Sequence, residues 1–143
     1  MKLTPNFDLA EFTISQTASR LGLDNTPPPE VVERLKEVTA PCMERVRAIL
    51  RKPCLISSGY RSAAVNRAVG GVKNSAHVDG YAVDFIAPAF GRPIDVVRAL
   101  LEGGLKFDQI IEEGTWVHVS FAPAMRQQVL TKADHGYVQG IAA

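Results

Sequence analysis

The spacing of apolar residues after Glu30 predicts a long amphipathic helix. Apolar side chains recur there every three or four positions, which places them on one face of an α-helix. They are Val31, Leu35, Val38, Cys42, Val46 and Ile49. Pro41 lies inside this run, but the apolar stripe keeps its phase across the proline. The pattern therefore favours one kinked helix over two independent helices.

After Lys52-Pro53 the chain alternates short β-type runs with short helices. Strands are predicted at 54–57, 82–86, 107–112 and 116–121, and helices at 63–69 and from Pro93 to the Gly103-Gly104 pair. The last two strands are separated by three residues that include Gly114, so we expect them to form a hairpin. Helices followed by mainly short strands predict an α+β fold, in which helices pack on a small antiparallel sheet.

The two ends of the chain have weaker patterns. Residues 1–29 contain the apolar residues Phe7, Leu9 and Phe12 and then a Pro-rich connector, so we expect an N-terminal segment that docks on the core. Residues 131–143 are polar and contain glycine, and we expect a loosely held tail there. There is no internal repeat, and 143 residues fit one domain, so we expect residues 1–143 to form a single unit.

Composition and charge narrow the classes of function. Sixteen Lys and Arg residues against fifteen Asp and Glu leave a net charge of +1, without the basic excess of a nucleic-acid-binding protein. No stretch approaches the ~18 apolar residues of a membrane span, and the first residues lack the apolar core of a signal peptide. Cys42 and Cys54 are too few for a disulfide scaffold and are not spaced like a zinc knuckle, so we expect two buried thiols.

Two of the three histidines lie in contexts that suggest a metal site. His77 precedes Asp84 by seven residues, and His118 lies in the last predicted strand. Two imidazoles and one carboxylate are a minimal zinc set, with a fourth position left to water. Asp84 lies between Val83 and Phe85, and a carboxylate inside an apolar strand requires a cation or several donors. A single histidine in a strand is more often an ordinary packed or surface residue, so both interpretations stay open at this point.

The spacing permits contact between His77 and Asp84 without requiring it. On one unbroken strand, side chains seven residues apart point to opposite faces. Gly80 offers a break, so that His77 can come from a loop and Asp84 from the strand that follows. His118 would then have to project from the same face of the sheet as Asp84.

The order and spacing of these residues also resemble a known family. The motifs are Ser75-x-His77-x-x-Gly80-x-Ala82-x-Asp84, then Trp116-x-His118-x-Ser120, and upstream of both Ser58-Gly59-Tyr60-Arg61-Ser62 with Asn66. Together they closely resemble the zinc D-Ala-D-Ala carboxypeptidase and murein endopeptidase family, peptidase family M15. The likeness extends from Phe7 to about Phe121 and is greatest to the compact members found in bacteriophages and prophages. It implies the family's small α+β fold, which is shared with the hedgehog signalling domain, and one zinc ion held by His77, Asp84 and His118.

The family mechanism also requires a carboxylate that activates water, and Glu112 and Glu113 are the candidates. Counting strand positions from His118 puts Glu112 in phase, and many compact members have glutamate at this position. We therefore expect Glu112 to be the catalytic base, with Glu113 as the alternative. Other branches carry an acid three residues before the last histidine, where this chain has Thr115. Both glutamates could instead be solvated charges of the hairpin.

Four further residues are candidates for the same site. The arginine that matches Arg61 in the family is associated with substrate binding or transition-state stabilisation, so Arg61 is expected to hold a substrate carboxylate or the oxyanion. Its alternative is a structural salt bridge near Asp84. Ser75 would contact substrate or orient the ligand loop, and Trp116 would contact substrate or pack in the core. Gln109, expected opposite His118, is a candidate to support that ligand.

The resemblance implies a zinc-dependent metallopeptidase that hydrolyses peptide bonds in peptidoglycan stem peptides, as a D-Ala-D-Ala carboxypeptidase or as an endopeptidase of the endolysin type. We expect a monomer without a nucleic-acid partner or membrane span. It would stay in the cytoplasm until a phage holin releases it to the cell wall, or it would be associated with the virion. The alternative function is a non-catalytic, zinc-containing binding or structural phage module of the same fold.

Overall fold

The structure, a computed structural model, describes residues 1–141. Its α-helices are α1 (Leu9–Thr13), α2 (Gln16–Leu21), α3 (Pro29–Arg34), α4 (Ala40–Leu50), α5 (Ala63–Ala68) and α6 (Pro93–Glu102). Its strands are β1 (Lys2–Thr4), β2 (Phe7–Asp8), β3 (Leu55–Ser58), β4 (Ala82–Ile86), β5 (Gln109–Glu112), β6 (Val117–Ser120), β7 (Gln128–Ala133) and β8 (Gly136–Gln139). This combination of helices and sheet confirms the α+β prediction.

The main sheet has six strands in the order β3-β4-β6-β5-β7-β8, and β1 pairs with β2 in a separate small ribbon. All neighbours in the main sheet are antiparallel except β5 and β7, which are parallel. The β5–β6 hairpin is present as the short Gly-containing turn predicts. The sheet is nevertheless larger than the predicted small antiparallel sheet, and it is mixed, because the chain after β6 adds two more strands beyond β5.

The chain after Thr131 is not a loose tail over the described residues, which corrects the sequence-based expectation. It completes β7 and forms β8, and these two strands pair as an antiparallel hairpin at the edge of the sheet. The Thr131 hydroxyl donates to the Gly140 carbonyl at 2.6 Å. Because β8 is exposed along its whole length, its sequence lacks the apolar alternation of a half-buried strand. Residues 142 and 143 of the expected tail lie outside the described residues.

The helical run continues through Pro41, as the phase of the apolar stripe predicts. A π-helical turn at Leu35–Thr39 joins α3 to α4, and the Ala40 amide donates to the Leu35 carbonyl across it. Pro41 lies directly after this turn and inside the continuous helical run, because Thr39 and Ala40 both have helical backbone angles. The sequence predicted one kinked helix through Pro41, and the structure has a π-helical turn directly before this residue.

The core lies between the helices and one face of the main sheet. α4 packs on α6, and α6 packs on β5 and β6. Alternate strand residues enter this core, among them Val83, Phe85, Ile110, Val117 and Val119, all fully buried. The opposite face of the same strands carries Asp84 and His118. The N-terminal segment docks through the buried side chains of Phe7 and Phe12.

Both cysteines are free and buried, which confirms the expectation of two buried thiols. Burial raises the pKa of the Cys54 thiol to about 12. This thiol therefore stays protonated at neutral pH and serves as a small apolar side chain.

Candidate metal centre and active site

Pairing between β4 and β6 places two of the predicted ligands side by side. Asp84 lies directly opposite His118 in the antiparallel register, so both side chains project from the same face of the sheet. Oδ1 of Asp84 is 3.0 Å from Nδ1 of His118. His118 therefore projects from the same face of the sheet as Asp84, as a shared metal site requires.

His77 reaches the same point from the loop before β4. Gly80, with φ of 81°, lies in the turn between this loop and the strand, where the sequence suggested a break. Nε2 of His77 is 3.3 Å from Oδ1 of Asp84, and the rings of His77 and His118 meet edge to face with centroids 5.1 Å apart. One carboxylate oxygen thus faces both imidazoles.

Three hydrogen bonds orient these side chains. Nδ1 of His77 donates to the Gly59 carbonyl at 2.7 Å, and this leaves a lone pair on Nε2, on the side of Asp84. The backbone amide of His77 donates to the Ser75 hydroxyl at 3.2 Å. Nη2 of Arg61 donates to Oδ2 of Asp84 at 3.3 Å. The cluster therefore has its own supporting shell of contacts.

Burial and mutual contact shift the protonation of the cluster. Burial alone would raise the pKa of Asp84, but the hydrogen bond from Nδ1 of His118 holds it well below its ordinary value. Burial lowers the pKa of His77, against the opposing effect of Asp84. The site therefore favours a carboxylate and a neutral His77 imidazole, the forms in which both can bind a metal.

The donor set fits a divalent metal ion. One ligand atom from each of His77, Asp84 and His118 lies within 4.8 Å of the others. Tetrahedral coordination with bonds of about 2.0–2.2 Å separates neighbouring ligand atoms by about 3.3–3.6 Å. The observed 3.3 Å and 3.0 Å separations from Oδ1 of Asp84 are close to that edge length. Nitrogen and carboxylate ligands in this number are those of a hydrolytic zinc site with a position open to substrate.

These three side chains line a cleft of about 650 Å³. Its walls come from the loop before β4, the ligand-bearing face of the sheet, the segment after β6, and the β7–β8 hairpin. The described residues that line it include Arg61, Ser75, Asp108, Gln109, Glu113, Trp116, Arg126, Leu130 and Tyr137.

Glu113, and not Glu112, lies in this cleft. In the observed register His118 pairs with Ile111, so Glu112 pairs with Val117 on the opposite face of the sheet. The Glu112 carboxylate accepts a hydrogen bond from the backbone amide of Gly114 instead. Oε1 of Glu113 is buried and has no hydrogen-bond partner among the described residues. The strand-phase count that placed Glu112 on the face of His118 is therefore wrong, since the four residues between the paired strand ends put Glu112 on the opposite face.

Arg61 combines two of its expected features. It makes the ion pair with Asp84 that was considered as a structural alternative, and it also lines the cleft. Its Nε and Nη1 atoms donate to Ser58 and Asn66, both at 3.3 Å. A guanidinium carries five N–H donors, so these three contacts leave others for a bound molecule.

Trp116 lies in the cleft, which is one of its two expected positions, whereas Gln109 does not lie opposite His118 as expected. Trp116 lies in the cleft wall and outside the buried core cluster, and its indole Nε1 is buried without a partner among the described residues. Gln109 lies opposite Ser120, not opposite His118, because the hairpin register differs from the assumed one by two residues. Its side-chain amide donates to Gln128 at 2.7 Å, so it supports β7 rather than a ligand.

The residues that the chain after β6 adds to the cleft were not predicted from the sequence. Arg126 donates through Nε and Nη2 to Asp108 at 3.0 and 2.9 Å, which anchors this segment to the start of β5. Leu130 and Tyr137 come from the β7–β8 hairpin. A lone tyrosine in a polar stretch has no motif around it, so only the folded chain shows its place.

The chain matches the family model described as Peptidase M15 over residues 5–120. This range includes the three predicted ligands, Arg61 and Glu113, and it ends with the last residue of β6. A comparison with curated proteins gives no match. Among the described residues, no helix has the length and apolar character needed to cross a membrane.

Proposed function

Because the chain belongs to the peptidase M15 family, we propose that this peptidase is zinc-dependent and hydrolyses peptide bonds in peptidoglycan stem peptides. The observation that carries the proposal is the convergence of His77, Asp84 and His118 in one cleft that also contains the Glu113 carboxylate. Two imidazoles, a carboxylate ligand and a separate acid–base carboxylate are the groups that metal-assisted peptide hydrolysis needs.

In this proposal, His77, Asp84 and His118 hold one zinc ion. When bound, zinc supplies Lewis acidity, which polarises a carbonyl group and lowers the pKa of water, so that water can act as a nucleophile at neutral pH. Ser75 and the Gly59 carbonyl keep His77 in the orientation that presents Nε2. Arg61 holds the second oxygen of Asp84, so that Oδ1 remains directed toward both histidines.

Glu113 is the proposed catalytic base. Its Oε1 atom, buried without a protein partner among the described residues, can accept the proton of the attacking water and then pass it to the leaving amine. The remaining N–H groups of Arg61 and the indole N–H of Trp116 are the donors proposed to stabilise negative charge on the substrate oxygen or to hold a substrate carboxylate.

The choice of substrate rests on the resemblance to compact phage members of the family. We propose that the protein acts as a monomer on the bacterial cell wall, either as a D-Ala-D-Ala carboxypeptidase or as an endopeptidase of the endolysin type. Release from the cytoplasm by a holin or transport with the virion would bring it to that substrate.

Digestion of purified murein by the zinc-loaded protein, followed by mass spectrometry of the muropeptides, tests the activity and identifies the bond. Glu113→Gln should lower turnover about 10²–10⁴-fold with zinc content unchanged. Glu112→Gln is the matched control, because it makes the same change one residue away on the other face of the sheet, and it should retain activity.

Two results would contradict parts of this proposal separately. If Glu112→Gln abolishes turnover while Glu113→Gln does not, the base is misassigned but the function stands. If the zinc-loaded wild-type protein releases no new muropeptide, the hydrolase proposal fails, and a non-catalytic module of this fold is favoured.

A further inference from the structure

The β7–β8 hairpin forms part of the cleft although it lies beyond the residues that match the family model. β7 pairs with β5 so that Leu130 is beside Ile111, the residue that faces His118. Lys132 is two residues after Leu130 and therefore lies on the same face of the sheet. Within the hairpin, Lys132 pairs with Tyr137. Tyr137 therefore projects from the face of the sheet that carries Asp84 and His118.

Two side chains of this hairpin lie beside the turn between β5 and β6, on which Glu113 lies. The Lys132 ammonium is over the Trp116 ring, 5.9 Å from its centroid. Tyr137 lines the same cleft as Glu113, and the nearby Glu113 raises the pKa of the Tyr137 phenol. The Glu113 backbone amide donates to the Trp116 carbonyl at 3.0 Å, which closes the turn beside these two side chains.

The chemistry of the two groups fixes the direction of any hydrogen bond between Tyr137 and Glu113. Partial burial raises the pKa of Tyr137, and the neighbouring Glu113 raises it further, so the phenol keeps its proton at neutral pH. A carboxylate can only accept, and the phenol therefore donates. Such a bond restricts the rotamers of a glutamate side chain that is otherwise free to turn about three bonds.

We propose that Tyr137 is a positioning residue, whose phenolic O–H holds the Glu113 carboxylate in the orientation needed for proton transfer, and that the β7–β8 hairpin is an integral wall of the active site. The inference rests on the proposed function, because it assigns Tyr137 a role through the proposed base. Glu113 lies in the turn directly after β5, and its Oε1 atom has no hydrogen-bond partner among the described residues. The hairpin supplies the restraint that the turn lacks.

Tyr137→Phe removes only the phenolic oxygen and tests this role. With murein peptides and the zinc-loaded full chain, kcat should fall about 10–100-fold, the loss expected for a hydrogen bond to a charged group, with KM, zinc content and Tm unchanged. Tyr81→Phe is the matched control, because Tyr81 lies outside the cleft, with its ring beside Arg34, and this variant should keep the wild-type kcat. Kinetics are measured well below the Tm of every variant.

A double variant and a spectrum separate positioning from a merely structural role. If Tyr137 acts through Glu113, adding Tyr137→Phe to Glu113→Gln should lower the residual rate no further. In the protein labelled with ¹³C at the tyrosine Cζ, Glu113→Gln should shift the Tyr137 signal and leave the Tyr81 signal in place.

The positioning role would be overturned if Tyr137→Phe kept the full kcat. It would also be overturned if Tyr137→Phe lowered kcat equally with glutamate and with glutamine at position 113. Either result would leave the peptidase proposal intact. An unchanged Tyr137 signal in Glu113→Gln would overturn the contact itself. An inactive wild-type protein would overturn the proposed function and the positioning role together.

Discussion

Replacing Gly80 by alanine tests how the loop that carries His77 is held against the long helix. Gly80 has φ of 81°, and a Cβ atom built on it would be 2.9 Å from Cγ1 of Val31. The loop cannot easily move away, because the buried Thr39 hydroxyl donates to the Gly80 carbonyl at 2.6 Å. Alanine at this position therefore meets both a strained backbone and a crowded neighbour.

The two effects can be given separate magnitudes. A left-handed backbone costs a non-glycine residue about 1 kcal/mol, and overpacking a close-packed site costs about 1–3 kcal/mol. Gly80→Ala should thus lower the free energy of unfolding by about 2–4 kcal/mol. For a chain of this size, about 3 °C is lost per kcal/mol, so the Tm should fall by about 6–12 °C.

Thermal unfolding followed by circular dichroism measures this loss, and Gly104→Ala is the matched control. Gly104 has φ of 72°, but a Cβ atom there would have no neighbour within 4 Å. It shares the backbone strain without the crowding, so its Tm should fall by only about 3 °C. Equal melting of the two variants would refute the argument that contact with Val31 limits position 80.

Two further predictions concern the ion pair beside the cleft and the metal ligands. Hydrogen bonds from Arg126 hold the pKa of Asp108 below its ordinary value. The pair therefore stabilises the fold fully at pH values above the unfolded-state pKa of about 3.9. This stabilisation is lost as the pH falls toward the lower pKa that Asp108 has in the folded state. Asp108→Asn should cost about 1.5–3 kcal/mol at neutral pH, and the difference from wild type should shrink below about pH 4 in denaturant titrations; a pH-independent difference would contradict the assignment. Zinc at about 100 times its Kd should stabilise the metal-free protein by about 2.7 kcal/mol, and a chelator should reverse this in thermal scans. His118→Ala should abolish the shift, and an equal shift in that variant would show that zinc binds elsewhere.

The fold elements that the sequence predicted correctly are those with a strong local pattern. The strand at 82–86 has the predicted bounds, and the apolar stripe marked a helix that continues through Pro41. Each of these follows from the spacing of side chains along a few turns or one strand, which neighbouring residues specify by themselves. The candidate ligands were also named from the sequence, because the motifs around them resemble those of a known family; residue types alone left their role open.

The sequence pattern alone could not decide between Glu112 and Glu113. Their side chains point to opposite faces, and which face meets His118 depends on the pairing of Ile111 with His118. A shift of one residue in that register exchanges the two glutamates. The length of a turn does not specify this register by itself, because the buried contacts of the whole sheet select it.

By itself, the amino-acid sequence determined which candidate groups this protein has for metal binding and proton transfer, and which segments form its longer helices and central strands. The tertiary structure decided which glutamate shares the cleft with His77, Asp84 and His118, and it added Tyr137 from an edge hairpin that no local pattern marks. The physical reason is the separation along the chain over which the deciding contacts act. Periodicity and capping act between neighbours in the chain, whereas strand register and the docking of a polar hairpin depend on many weak contacts between residues far apart in the sequence.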